Sequence, residues 1–105
     1  MAREISVAEL ASRLRAVEPL LLLDVREAWE REIAHLPGDV HIPMDEVPRR
    51  AGEIARGRMV VAYCHAGVRS FAVASFLEQG GLEAVSLAGG IDAWACEIDP
   101  RMARY

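Results

Sequence analysis

Ser6 and Glu9 form an S-x-x-E capping box, and Val7, Leu10, Leu14 and Val17 then recur at helical spacing, which predicts a first helix over residues 7–16. Pro19 closes that segment. Residues 20–25, Leu-Leu-Leu-Leu-Asp-Val, are apolar without alternation, the pattern of a strand covered on both faces. A short charged helix is expected over 27–33, followed by a Pro37-Gly38 turn and a small strand over 40–42. Asp45 is placed to cap a helix that runs through Ile54, with Pro48 in its first turn, where a missing N–H costs little. Residues 59–63 form a second buried strand, which runs directly into Cys64-His65-Ala66-Gly67-Val68-Arg69-Ser70 and an apolar helical stretch. Gly80-Gly81 ends that helix as a left-handed cap and turn. A last strand over 85–87 and the pair Gly89-Gly90 lead to a short helix carrying Trp94. Strands alternating with helices at this spacing predict one α/β domain over residues 1–105 with a mainly parallel sheet.

In open parallel sheets ligands bind outside the carboxyl ends of the strands, so Cys64, at the end of a buried strand, stands where the fold presents a reactive group. The helix that begins near Ser70 brings unpaired amide N–H groups and positive dipole charge toward the sulfur, which favours the thiolate. Gly67 permits a positive φ, so that consecutive N–H groups of His65, Ala66, Gly67, Val68, Arg69 and Ser70 can turn inward as an anion nest. Arg69 adds a full positive charge, suited to orienting an anionic substrate in a fork, with a surface ion pair as its plainer use. His65 is either a general acid or second cation, or an exposed loop residue without a task.

Composition narrows the possibilities. The chain has 105 residues, 52 % of them hydrophobic, enough for one compact core. The formal net charge is −4 and the basic residues alternate with acids, which argues against nucleic acid as a partner. No apolar run approaches a bilayer span, and the start lacks the layout of a signal peptide, so a soluble cytoplasmic protein is the default expectation. Cys64 and Cys96 are too few for a disulfide framework and are not spaced as a C-x-x-C pair, so both are expected as thiols. Every basic residue is arginine, which fits either a GC-rich genome or adaptation to heat.

The C-x-x-G-x-R-S loop, together with LLLDVREAWE at 21–30, HLPGDVHIP at 35–43 and LAGGIDAW at 87–94, resembles the rhodanese homology family over nearly the whole chain. The middle segment resembles the family's G-H-I-P-G-A-x-N-I-P, with departures at Ala34 and Val40 that are conservative in size. The resemblance implies a three-layer rhodanese-like fold, a five-stranded sheet with helices on both faces and the loop wrapped around the cysteine sulfur. It implies a sulfurtransferase that takes sulfane sulfur from thiosulfate or a similar donor as a Cys64 persulfide and passes it to a thiophilic acceptor. Cyanide would serve as acceptor in an assay, and a thiol or a partner protein in a cell. No metal or organic cofactor is implied. Four residues separate Cys64 from Arg69, which matches the sulfurtransferase branch; the loops of the family's phosphatases are one residue longer, and phosphatases and arsenate-reducing relatives are the weaker alternative. A non-catalytic or sulfur-relaying interaction module is the other.

The remaining chemical side chains receive structural readings. Asp24 and Arg26, near the loop, are expected as a supporting pair that holds loops together rather than an acid–base couple. His35 and His41 are read as loop and core packing, since no third ligand is spaced to complete a metal site. Trp94 is expected to bury its ring beneath the last loop, and Cys96 to be a semi-buried bystander.

Overall fold

The structure, a computed structural model, describes residues 3–105. Five strands, β1 (Arg3–Ile5), β2 (Leu20–Asp24), β3 (Val40–His41), β4 (Met59–Tyr63) and β5 (Ala84–Leu87), form one sheet in the order β1-β5-β4-β2-β3, every pairing parallel. The helices are α1 (Val7–Arg15), α2 (Ala28–Ile33), α3 (Val47–Arg50), α4 (Val68–Gln79) and α5 (Gly90–Glu97).

The period of two along β4 sorts the core into its layers. Val60 and Ala62 face one side with Leu23, Val73, Ala74 and Leu77, so α4 and α3 cover that face. Val61 and Tyr63 face the other, with Leu10 of α1 and Ile91 and Trp94 of α5. Both faces are therefore dry, and the unalternating run Leu20–Asp24 is the consequence. Each large aliphatic side chain buried here stabilises the fold by roughly 1.5–3 kcal/mol. Cys64 continues the alternation of Val60 and Ala62 and joins the α4 side of the core.

Two expectations need correction. Strand β1 was not anticipated, because it has three residues of which two are exposed, and only its parallel pairing with β5 makes it a strand. The helix expected from Asp45 to Ile54 is broken: a 3₁₀ turn at Met44–Glu46 precedes α3, and a second at Ala51–Glu53 follows it. Pro48 has no N–H to give to the Met44 carbonyl, and Gly52 weakens the second half. With Val47 and Ile54 as its buried apolar anchors, the segment gains little from a continuous helix. Among the described residues no helix is long and apolar enough to cross a membrane.

Candidate active site

Because β4 lies in the middle of the sheet, its carboxyl end opens between the ends of β2 and β5, and Cys64 stands at that point. The backbone then reverses through Gly67, whose φ of +107° is left-handed, and α4 starts at once at Val68. The left-handed φ favours glycine here, and an added Cβ at Gly67 would also stand tightly against the Gly89 nitrogen, at 3.3 Å. The turn aims the N–H of Gly67 at Sγ of Cys64 over 3.1 Å, and the N–H of Ser70 over 3.4 Å. The Ser70 hydroxyl also lies 3.4 Å from Sγ, and is itself 2.8 Å from the Ser86 hydroxyl on β5. Below the loop, the first turn of α5 donates to it: Ile91 N–H to the Cys64 carbonyl at 2.9 Å and Asp92 N–H to the His65 carbonyl at 3.1 Å.

Burial, the largest influence on the Cys64 thiol, pushes it up. The Ser70 hydroxyl and the amides of Ser70, Gly67 and Ala66 together outweigh burial and hold the thiol below its ordinary value. The loop is thus built for a negative charge on sulfur.

Arg69 lies at the start of α4 with its guanidinium closed on the Glu30 carboxylate, Nη1 to Oε2 at 2.7 Å and Nη2 to Oε1 at 2.8 Å. Glu30 keeps Arg69 firmly protonated, and the Cys64 charge acts in the same direction, so the two groups share one electrostatic neighbourhood. Glu30 is held from other sides too: Oε2 accepts the Glu27 N–H at 2.9 Å and Oε1 accepts the Tyr105 hydroxyl at 2.8 Å. The Arg69 fork is the strongest influence on Glu30 and, with those two donors, overcomes burial and lowers it to about 2.

Behind this pair lies a second one. Arg26 and Asp24 are fully buried and face each other bidentately at 2.8 and 2.9 Å. The remaining guanidinium N–H groups reach the Ala34 and Glu30 carbonyls and the Tyr105 hydroxyl, so each one has an acceptor. Arg31 bonds Asp24 and closes on both oxygens of Asp39, which accepts the Tyr63 hydroxyl as well. In the G-H-I-P-G-A-x-N-I-P pattern Val40 falls on the unspecified position, so the departure there is not Val40 but Asp39, at the alanine, whose carboxylate binds Arg31 and the Tyr63 hydroxyl.

His65 is half-buried, its ring edge-on to Tyr105 with centroids 4.3 Å apart, and its Nδ1 has no hydrogen-bond partner among the described residues. Ala66 and Val68 are exposed at the rim. His41 donates from Nε2 to the Arg26 carbonyl, and His35 lies beside the Leu36 carbonyl at the surface. Among the described residues no group of three His, Cys, Asp or Glu side chains is placed to hold a metal ion. Cys96 is exposed rather than semi-buried, since its position on α5 faces away from the Ile91 and Trp94 side.

Glu30, Tyr105 and Ser86 were not anticipated as parts of the site. The spacing of Glu27 and Glu30 at the start of α2 carried a capping signal that could have drawn attention to Glu30. Ser86 carried none, being one polar residue in an apolar strand, and Tyr105 reaches Glu30 from 75 positions away.

The sequence matches the model of the rhodanese-like domain over residues 6–97. A sulfurtransferase of Allochromatium vinosum is 40 % identical over 96 residues, which are 90 % of each chain. An adenylyltransferase and sulfurtransferase of Aedes aegypti is 36 % identical across 96 % of this chain, which spans 26 % of that protein. Among solved structures, a rhodanese-related protein of Thermoplasma volcanium superposes with a TM-score of 0.85 at 32 % identity, covering 91 % of this chain and 93 % of the other.

Proposed function

The chain belongs to the rhodanese-like domain family, and we propose that it is a sulfurtransferase that carries sulfane sulfur as a persulfide on Cys64. The observation that supports this most directly is the convergence of the Gly67 and Ser70 amides on one buried sulfur at the head of α4. In the first step the Cys64 thiolate attacks the outer sulfur of a donor such as thiosulfate. A new S–S bond forms as the donor's own S–S bond breaks, and sulfite leaves with the electron pair. In the second step a thiophilic acceptor, cyanide in an assay and a thiol or partner protein in a cell, attacks the terminal sulfur and returns Cys64 as thiolate.

The loop of His65, Ala66, Gly67, Val68, Arg69 and Ser70 holds the anionic sulfur, with fixed N–H donors that need no rearrangement as charge moves along it. The Ser70 hydroxyl can turn its proton toward the thiolate because Ser86 supplies one to Ser70 in exchange. Asp24 and Arg26 support the site through Glu30 and Tyr105 and do not take part in proton transfer. A reducing, cytoplasmic setting would keep both cysteines as thiols.

The test is intact-protein mass after incubation with thiosulfate, for the native chain, Cys64→Ser and Cys96→Ser. The native chain and Cys96→Ser should gain one sulfur atom, which cyanide then removes, while Cys64→Ser gains none. Sulfur retained on Cys64→Ser would place the carrier elsewhere.

A further inference from the structure

We propose that Glu30 sets the donor preference of this site, by engaging the Arg69 fork so that small sulfonates such as thiosulfate are slow donors and donors of the thiol-persulfide type are favoured. The inference rests on sulfur transfer through Cys64 and specifies which donors that site accepts.

Arg69 is the cation that would meet a sulfonate beside Cys64, and both of its terminal nitrogens are engaged by Glu30 at 2.7 and 2.8 Å. A sulfonate can take that fork only by displacing a carboxylate. The carboxylate has nowhere better to go: its side chain is 4 % exposed, and the Glu27 amide and the Tyr105 hydroxyl hold it in place. Tyr105 is anchored in turn by Arg26 at 3.0 Å. Expelling Glu30 would leave a buried charge without its partner, which costs more than an exposed pair would. Because Glu30 stays ionised far below neutral pH, it also repels a dianion approaching the sulfur.

The other arginines packed around the loop offer no substitute. Arg26 is closed on Asp24, Arg31 on Asp39, and Arg104 on Asp92. Large apolar side chains stand exposed beside this polar cluster: Val68, next to Arg69 in the chain, is 80 % exposed, and Trp29, 59 % exposed, packs edge-on to Tyr105. A thiol persulfide suits that mouth, because its leaving group is a thiolate that needs no fork. In that reaction the Cys64 thiolate attacks the outer sulfur of R–S–SH, the donor's S–S bond breaks, and R–S⁻ leaves with the electron pair. Cys64 then carries the S–SH group, so atoms and charge balance.

The experiment compares steady-state sulfur transfer from thiosulfate and from glutathione persulfide in the native chain, Glu30→Gln and Tyr105→Phe. KM and kcat are read separately, and thermal melts check folding. The native chain should prefer the persulfide in kcat/KM. Glu30→Gln frees one charge-assisted fork, so the ratio of thiosulfate to persulfide kcat/KM should rise on the order of tenfold, mainly through a lower KM for thiosulfate. Tyr105→Phe keeps the carboxylate but loosens it, and should shift the ratio the same way by a smaller factor. It decides the matter if Glu30→Gln does not fold. A ratio unmoved in the folded variants, with Cys64 gaining sulfur from both donors, overturns the role of Glu30 and leaves the persulfide mechanism intact. A native chain whose Cys64 gains sulfur from neither donor overturns both.

Discussion

The carbonyl oxygen of Cys64 accepts the backbone N–H of Ile91 at 2.9 Å, so the loop that holds the sulfur hangs on the first turn of α5. Such closeness depends on the residue before Ile91. Gly90 has a φ of +62°, and a Cβ there would stand 2.5 Å from the Cys64 carbonyl oxygen and against that of His65. Gly90→Ala should therefore cost about 1–3 kcal/mol from backbone strain alone and displace the loop as well. The melting temperature should fall, and alkylation of Cys64 should lose its low-pH component. A variant with native melting and native sulfur transfer would show that α5 does not position the loop.

The thiol should titrate below an ordinary cysteine, because the fold favours the thiolate over the thiol. In a Cys96→Ser background, the pH profile of iodoacetamide labelling reports Cys64 alone. Removing the Ser70 hydroxyl takes away one donor to the charged sulfur, so Ser70→Ala should raise the apparent pKa. Ser86→Ala should raise it less, since Ser86 acts through Ser70. Identical profiles for all three proteins would leave the amides as the whole cradle.

These expectations separate what the chain discloses locally from what only folding brings together. Strand β4, Cys64 and the head of α4 were legible because an apolar run, a left-handed glycine and an apolar helix follow one another without interruption. The same holds for Leu20–Asp24, where the missing alternation signals two covered faces. Strand β1 was not legible, since its three residues have no pattern of their own and take their structure from β5. Nor was the use of the Arg69 fork, because its partner lies 39 positions earlier and the residue steadying that partner 75 positions later. The loop by itself discloses a cation near the sulfur. That a carboxylate closes on this cation is visible only in the folded chain.

Arg26 tests how far the fold depends on its buried pair. Arg26→Met keeps length and loses the charge, leaving the Asp24 carboxylate buried with Arg31 as its remaining cation, at 3.1 Å. Removing one partner of such a pair typically costs about 3–5 kcal/mol, and the Arg31 contact places the expected loss near the lower end. Urea unfolding should show a lower midpoint with an unchanged slope. A loss under about 1 kcal/mol would mean that Arg31 alone compensates Asp24.

Glu30 supplies a pH signature distinct from that of the sulfur. Its carboxyl is lowered in the folded chain to about 2 from an ordinary 4.5, so the native state binds this proton less readily than the unfolded chain does. Stability from the Glu30–Arg69 pair is therefore fully present above pH 4.5 and is lost as the pH falls through that value toward 2. Glu30→Gln has no charge to protonate. Its stability deficit relative to the native chain should be constant near neutrality and shrink across that acid window. The Asp39 carboxyl, pushed up by burial, is nonetheless held below its ordinary value by Arg31 and the Tyr63 hydroxyl and is common to both proteins, so the informative quantity is the difference between them at each pH. Arg69→Ala removes the partner instead of the acid and should narrow the same difference over the same window, because Glu30 then loses its strongest reason to stay ionised. Urea midpoints measured from pH 7 downward on the three proteins check this. If the difference between native and Glu30→Gln stays flat through the acid range, the carboxylate is not held by Arg69 in solution, and the fork beside Cys64 is open.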